Sequence, residues 1–163
     1  AASASRNSTG GMCRRMPGDR AFGSLLIEIE CSEVVENLDL VLETARRLRS
    51  HNIAISIDKV GTEWPALMGL EGFPFVELKI DPQFVTNAAD DRLKQSVCRR
   101  IVEFAHDQGA RVVAQGVDTR PDYLTAQALG FDLVQGYLFG KPMGVRKFAR
   151  ARALPAASTR QRG

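Results

Sequence analysis

The stretch ISIDKVGTEW, residues 55–64, decides the fold. Ile55 and Ile57 alternate with Ser56 as the residues of a strand do, and the strand delivers Asp58 to its C-terminal end before the chain turns at Gly61. Parallel α/β proteins keep their chemistry at that end of their strands. Lys59 follows at once, so a site that could have paired two carboxylates holds an acid beside a base.

Working outward, the same unit recurs on both sides. Upstream, LLIEIE (25–30) alternates, and residues 34–50 set Leu38, Val41, Leu42, Ala45 and Leu48 on one helical face, with Arg46, Arg47 and Arg49 near the C-terminal end, where the helix dipole favours cations. IAISI (53–57) is the second strand. Downstream, the Gly61 turn leads into a short helical piece around PALMGL, and FVELKI (75–80) is the third strand. Residues 90–108 place Leu93, Val97, Ile101, Phe104 and Ala105 on one face and stop at Gly109. RVVA (111–114) is a strand. A helix capped by Thr119, with Pro121 in its first turn, runs to Gly130. LVQGYLF (133–139) is the last strand, and a closing helix over 145–153 turns Val145, Phe148 and Leu154 inward. Strands that are nearly continuous apolar runs, alternating with helices, predict an α/β fold with a parallel sheet covered on both faces. No GxGxxG or P-loop motif stands at a strand end. The prediction is a partial (βα) barrel of the TIM type, about five parallel strands with helices outside.

Composition sets the limits. At 163 residues, 44% hydrophobic and 25% charged, the chain suits one globular domain. Cys13, Cys31 and Cys98 lie far apart without CxxC spacing, which predicts reduced thiols of a cytoplasmic protein rather than a disulfide framework or a zinc site. No apolar run of about 18 residues and no signal-peptide core is present. The charge is unevenly placed. Residues 1–24 carry four Arg against one Asp, and residues 140–163 carry seven Lys or Arg and no acid, so a net charge of +3 hides an acidic body. The expected organisation is a disordered leader or linker over 1–24, the barrel-like unit over 25–153 and a basic tail over 154–163. The end VRKFARARALPAASTRQRG lacks aromatic interleaving, which argues against nucleic acid as a partner. Of the remaining residues, His51 and His106 are expected to face helix dipoles, and Trp64 to shape a subunit contact or to lie as a lid on the rim.

The strand ends carry polar residues in succession: Glu28 or Glu30, then Asp58 with Lys59, Lys79 with Asp81, Gln115 with Asp118, and Gln135. In a parallel barrel these ends converge on one rim, so acids, lysines and amides from five strands share a cavity.

The ordered motifs LLIEIECSE, ISIDKVGTEWPAL, LKIDPQFV, RVVAQGVDT and LGFDLVQGYLFGKPM make residues 25–148, roughly three quarters of the chain, resemble the C-terminal part of an EAL domain, the bacterial phosphodiesterase module for cyclic di-GMP. The resemblance implies a modified TIM barrel in which two divalent cations, usually Mg²⁺ or Mn²⁺, activate a water against a phosphodiester. It gives Glu28 the place of a metal-binding Glu and Asp58 that of the first Asp of the DDFGTG pair. Lys79 takes the place of the KID lysine that helps to position the water, and Gln135 that of the Gln of QGYLF. The departures are as informative. Lys59 replaces the Asp that bridges the metals, Gln115 replaces the Glu of EGVET, and the segment with the EAL signature and a metal-binding Asn has no counterpart in these residues.

Two divalent ions need several carboxylates, and an ammonium near Asp58 opposes them by several kcal/mol at the dielectric of a partly buried site, on the order of ε ≈ 20. Lys59 either takes the metal's place, pairing with Asp58 or Glu28, or runs out to solvent. The expectation is a degenerate, catalytically inactive EAL-like module without a metal cofactor, with Lys79 and Gln135 vestigial catalytic residues, Glu28 and Asp58 vestigial metal ligands, and Asp58, Lys59, Gln115 and Asp118 a possible nucleotide rim. Its expected partners are a protein, a second copy of itself through open sheet edges, or cyclic di-GMP. The alternative is a cyclic di-GMP phosphodiesterase using Mg²⁺ or Mn²⁺, its ligands completed by another segment or chain.

Overall fold

The computed structural model describes residues 25–68, 70 and 72–148. The leader over 1–24, Cys13, and the segment from 149 onward with Leu154 lie outside them. Strands β1 (Leu25–Glu30), β2 (Ile53–Val60), β3 (Glu77–Ile80), β4 (Arg111–Gln115) and β5 (Leu133–Gln135) form one sheet in sequence order, every neighbouring pair parallel. Between them run α1 (Cys31–Glu36), α2 (Leu38–Arg49), α3 (Pro82–Val85), α4 (Arg92–Asp107) and α5 (Arg120–Leu129). The sheet is open: among the described residues no strand pairs with the outer edge of β1 or of β5.

Alternation sorts each strand into two faces. Ile55, Ile57, Leu78, Ile80, Val112 and Ala114 are buried against the helices, in one core with Val34, Ala45, Ile101, Ala105, Ala126 and Leu129. The other face is polar, and its contacts fall in two layers. Near the strand starts, buried Glu77 accepts the Ser56 hydroxyl at 3.0 Å and an Arg111 N–H at 3.2 Å. The second layer, at the strand ends, is the rim.

The helices begin and end where the chain supplies caps. The Asp91 carboxylate accepts the N–H groups of Leu93 and Lys94 at 2.9 and 3.1 Å, and Thr119 Oγ1 accepts that of Asp122 at 3.3 Å. Gly109 and Gly130 close α4 and α5 with φ of 71° and 87°. Buried Asp122 also accepts the Asn87 N–H and the Thr119 hydroxyl, joining the loop after α3 to the start of α5.

Several expectations need correction. The helix over 34–50 is two helices broken at Asn37, whose φ of −125° and ψ of 38° are not helical. Leu93 is 74% exposed, because it lies in the first turn of α4, ahead of the stretch in which Cys98, Ile101, Val102 and Ala105 pack into the core. The final strand stops at Gln135 rather than running to 139, since Gly136 turns the chain and Leu138 N–H bonds Val117 O. Residues 145–148 are helical, yet Val145 and Phe148 are 84% and 51% exposed rather than turned inward, because this segment follows the last strand at the open edge of the sheet. Trp64 sits in a 3-10 turn, its ring centroid 6.0 Å from that of Phe104 on α4; it is neither a lid on the rim nor wholly exposed.

His106 does not face a dipole alone. Its Nε2 lies 3.0 Å from Asp132 Oδ2, which also accepts the Val112 N–H at 2.7 Å. Burial pushes the Asp132 pKa up, but the hydrogen bonds from His106 and Val112, with the charges of His106 and Arg111, outweigh it and hold it below the ordinary carboxylate value. A depressed folded-state pKa gives stability that is full above about pH 4, the unfolded Asp value, and lost as pH falls through the folded one. Asp132→Asn is expected to lower stability at neutral pH by about 1–2 kcal/mol. It should also flatten the acid side of the stability profile, read as thermal melts between about pH 3 and pH 7; an unchanged acid limb would refute the assignment.

Candidate functional site

The rim is built by register. β1 and β2 pair so that Glu28 lies level with Ser56 and Glu30 with Asp58, which brings the acids of the first strand beside those of the second. Between Ile57 and Val60 the register with β3 shifts, and Lys59 has a φ of 53°, in the left-handed region that a lysine seldom adopts. This bulge separates neighbouring side chains. Asp58 stays among the polar side chains of the inner face, while Lys59 reaches across to β1.

The contacts there are ionic and amide in kind. Lys79, 7% exposed, places Nζ 2.9 Å from Glu28 Oε1 and 3.7 Å from Asp58 Oδ1. Asp58 Oδ1 also accepts the Gln115 Nε2–H at 2.9 Å. Lys59 Nζ meets Glu30 Oε1 at 2.5 Å. The Glu30 carboxylate, through its hydrogen bond and then its charge, holds the Lys59 ammonium above its usual pKa. Asp81 caps α3 by accepting the Gln83 N–H at 2.8 Å, and Asp118 Oδ1 accepts the Tyr137 N–H at 2.8 Å. Val117 N–H bonds Gln135 O, so the last two strand ends are also tied together.

Two expectations change here. Lys59 pairs with Glu30, not with Asp58 or Glu28, because the bulge turns it outward. The cation that sits between Glu28 and Asp58 is Lys79. The structure brings Glu28, Asp58, Lys79 and Gln115 into one network and leaves Asp118 and Gln135 tied to the next loops. The Ser56, Glu77 and Arg111 layer was missed in the sequence, although polar residues on the inner parity of three neighbouring strands were its signal.

The resemblance implies a pair of divalent cations, and the donor set can be tested against them. Of the carboxylates that the resemblance calls for, Glu28 and Asp58 are in place, while Lys59 is ion-paired with Glu30 and Gln115 gives Asp58 an amide N–H instead of a further acid. Among the described residues no group of three or more His, Cys, Asp or Glu side chains is disposed to hold a metal ion. These residues do not fit a two-cation centre.

Parallel strands in sequence order, helices between them and polar side chains gathered at the strand C-termini define a protein of the (βα)-barrel class. The profile of the family described as EAL domain matches residues 15–142, and the chain belongs to that family. It is 32% identical over 141 residues to the cyclic di-GMP phosphodiesterase PdeL of Escherichia coli, covering 74% of this chain and 39% of PdeL. The EAL domain of Mycobacterium smegmatis DcpA superposes with a TM-score of 0.70 at 29% identity, over 79% of this chain and 58% of that one. Klebsiella pneumoniae BlrP1, solved as a manganese/cy-diGMP complex, gives 0.63 at 30% identity, over 72% and 30%. The chain thus spans less than two thirds of the length of each. Among the described residues no helix is long and apolar enough to cross a membrane.

Proposed function

We propose that this chain is a catalytically silent EAL module of cyclic di-GMP signalling that works by contact, with a protein partner before the nucleotide. One observation supports the reading: where the resemblance calls for two further carboxylates, Lys59 is ion-paired with Glu30 and Gln115 gives Asp58 an amide N–H. The charges at the strand ends point the same way. Five acids (Glu28, Glu30, Asp58, Asp81, Asp118) face two lysines (Lys59, Lys79), and without divalent cations such a rim repels an anionic dinucleotide.

A residual phosphodiesterase is favoured by one detail. Gln115 Oε1 is buried without a partner, an acceptor that a cation or a water could use. The two readings separate in one assay. With Mg²⁺ or Mn²⁺ at millimolar concentration, the chain is expected to yield no linear dinucleotide from cyclic di-GMP above the enzyme-free rate, and isothermal titration to show no binding tighter than about 1 mM, roughly −4 kcal/mol. Turnover would establish the phosphodiesterase instead, and tight binding without turnover a nucleotide receptor.

A further inference from the structure

On the outer side of the molecule, α4 and α5 lie side by side and leave a shallow groove of about 250 Å³ between them. Gln95 and Arg99 line it on one side, and Leu124, Thr125, Ala128 and Leu129 on the other. The volume is below the roughly 300–1,000 Å³ of small-molecule pockets, so the groove suits side chains of a macromolecule. Its floor is apolar: Leu124 is 49% exposed, and exposed Ala128 stands one helical turn further on. Its wall is basic. Residues 92–102 carry four bases and no acid, within a body that is acidic as a whole. Lys94 Nζ is turned to Thr86 O at 2.8 Å, but Arg92, Arg99 and Arg100 are exposed and have no ion-pair partner among the described residues. Arg92 and Arg120 open the two helices, and Arg120, one turn before Leu124, is likewise exposed and unpaired among the described residues. Glu103 is the acid on this side of α4, one turn beyond Arg99.

We infer that this groove docks an acidic amphipathic helix of a partner protein, its apolar anchors over Leu124 and Ala128 and its carboxylates on Arg92, Arg99 and Arg120. A third helix laid between two neighbours presents anchors at i, i+3, i+4 and i+7, the spacing that an apolar floor bounded by two helical ridges accepts. Charge selects among the occupants. The terminal segments 1–24 and 149–163 carry four arginines each and one aspartate between them, so they bring the groove no counter-charge. A second copy meeting it groove to groove would set arginine on arginine. A nucleic acid would satisfy the arginines, but no aromatic side chain lines the groove to stack on a base, and the apolar floor would go unused. The inference rests on the reading of this chain as a module that works by contact, and it gives that contact its chemistry.

The test uses the full chain in EDTA, without nucleotide. The probe is a fluorescent peptide of about 18 residues, long enough to be helical, with leucine at i, i+4, i+7 and i+11 and glutamate and alanine elsewhere. A second peptide has lysine for every glutamate. Fluorescence anisotropy at about 50 mM salt should give the acidic peptide a dissociation constant below about 1 mM, weakened at least about fivefold at about 300 mM as screening of exposed charges requires. Arg99→Glu and Leu124→Glu, both at exposed positions, should each weaken it at least about tenfold with the parent's circular dichroism kept, while Arg46→Glu on α2 leaves it unchanged. The Arg92→Glu, Arg99→Glu double variant should prefer the lysine peptide, which a merely distorted groove would not do. An acidic peptide left unbound by the parent, a lysine peptide bound equally well, or variants that bind like the parent would each overturn the docking site. So would a single-stranded oligonucleotide bound more tightly through the same arginines, or self-association of the chain that Arg99→Glu abolishes. Turnover of cyclic di-GMP in the hydrolysis assay would sink the silent-module reading without moving these titrations, so the two failures are told apart.

Discussion

Replacing Lys59 by Asp and Gln115 by Glu together is expected to raise the affinity of the rim for Mn²⁺ by at least about a hundredfold, roughly 2.7 kcal/mol. The expectation follows from charge. The first substitution removes an ammonium and adds a carboxylate at the bulge, and it also releases Glu30, whose partner is Lys59. The second turns the amide that donates to Asp58 Oδ1 into an acid, so that Asp58 loses a neutral donor and gains an anionic neighbour. Two unit charges 4 Å apart at an effective dielectric of about 20 interact by about 4 kcal/mol, so the change is large against the affinity to be gained. Without metal the same variant should be less stable than the parent, since Lys79 alone would face the added carboxylates. Electron paramagnetic resonance of free Mn²⁺ measures the affinity directly, and an affinity unchanged in a folded double variant would show that acid supply is not what limits metal binding.

The second large effect lies in the backbone. Gly136→Ala is expected to cost several kcal/mol, on the scale of the severest single substitutions, above about 4 kcal/mol. A Cβ at Gly136 would come within 2.1 Å of Val117 O and 2.5 Å of Val117 N, atoms of a main chain that cannot step aside. Val117 is fully buried, and its N–H and C=O bond Gln135 O and Leu138 N, so relief of the clash breaks the tie between the ends of β4 and β5. Gly109→Ala is the control. Its φ of 71° costs about 1 kcal/mol in strain, but nothing lies within 4 Å of the added carbon. Thermal melts in which both variants lose the same stability would mean that the contact at Val117 is absent in solution.

Much of this fold can be read from the chain because its signals are local. Thr119 is a cap, Gly109 and Gly130 are stops, and the alternation of Ile55 and Ile57 with Ser56 and Asp58 marks a strand whether or not its neighbours are known. What escapes such a reading depends on residues far apart in sequence. Nothing near Leu93 tells that Cys98 and Val102 will take the inward face of α4. The alternation through Tyr137 and Phe139 looks like a strand, yet Gly136 turns because Val117 lies against it. At the rim, the residue types are legible and their pairing is not. Lys59 adjoins Asp58 in sequence, but a bulge set by the register of β2 on β3 sends it to Glu30, twenty-nine positions away.

The two polar layers of the inner face have unequal freedom. The deeper one, Ser56 with Glu77 and Arg111, belongs to the folded frame, while the outer one includes the pair of Lys59 and Glu30 at the edge of solvent. A charge reversal at position 59 can therefore be absorbed by an exposed carboxylate on the neighbouring strand, leaving the hydrocarbon packing beneath it undisturbed. The charge carried at the barrel mouth can thus vary while the shape beneath it is kept.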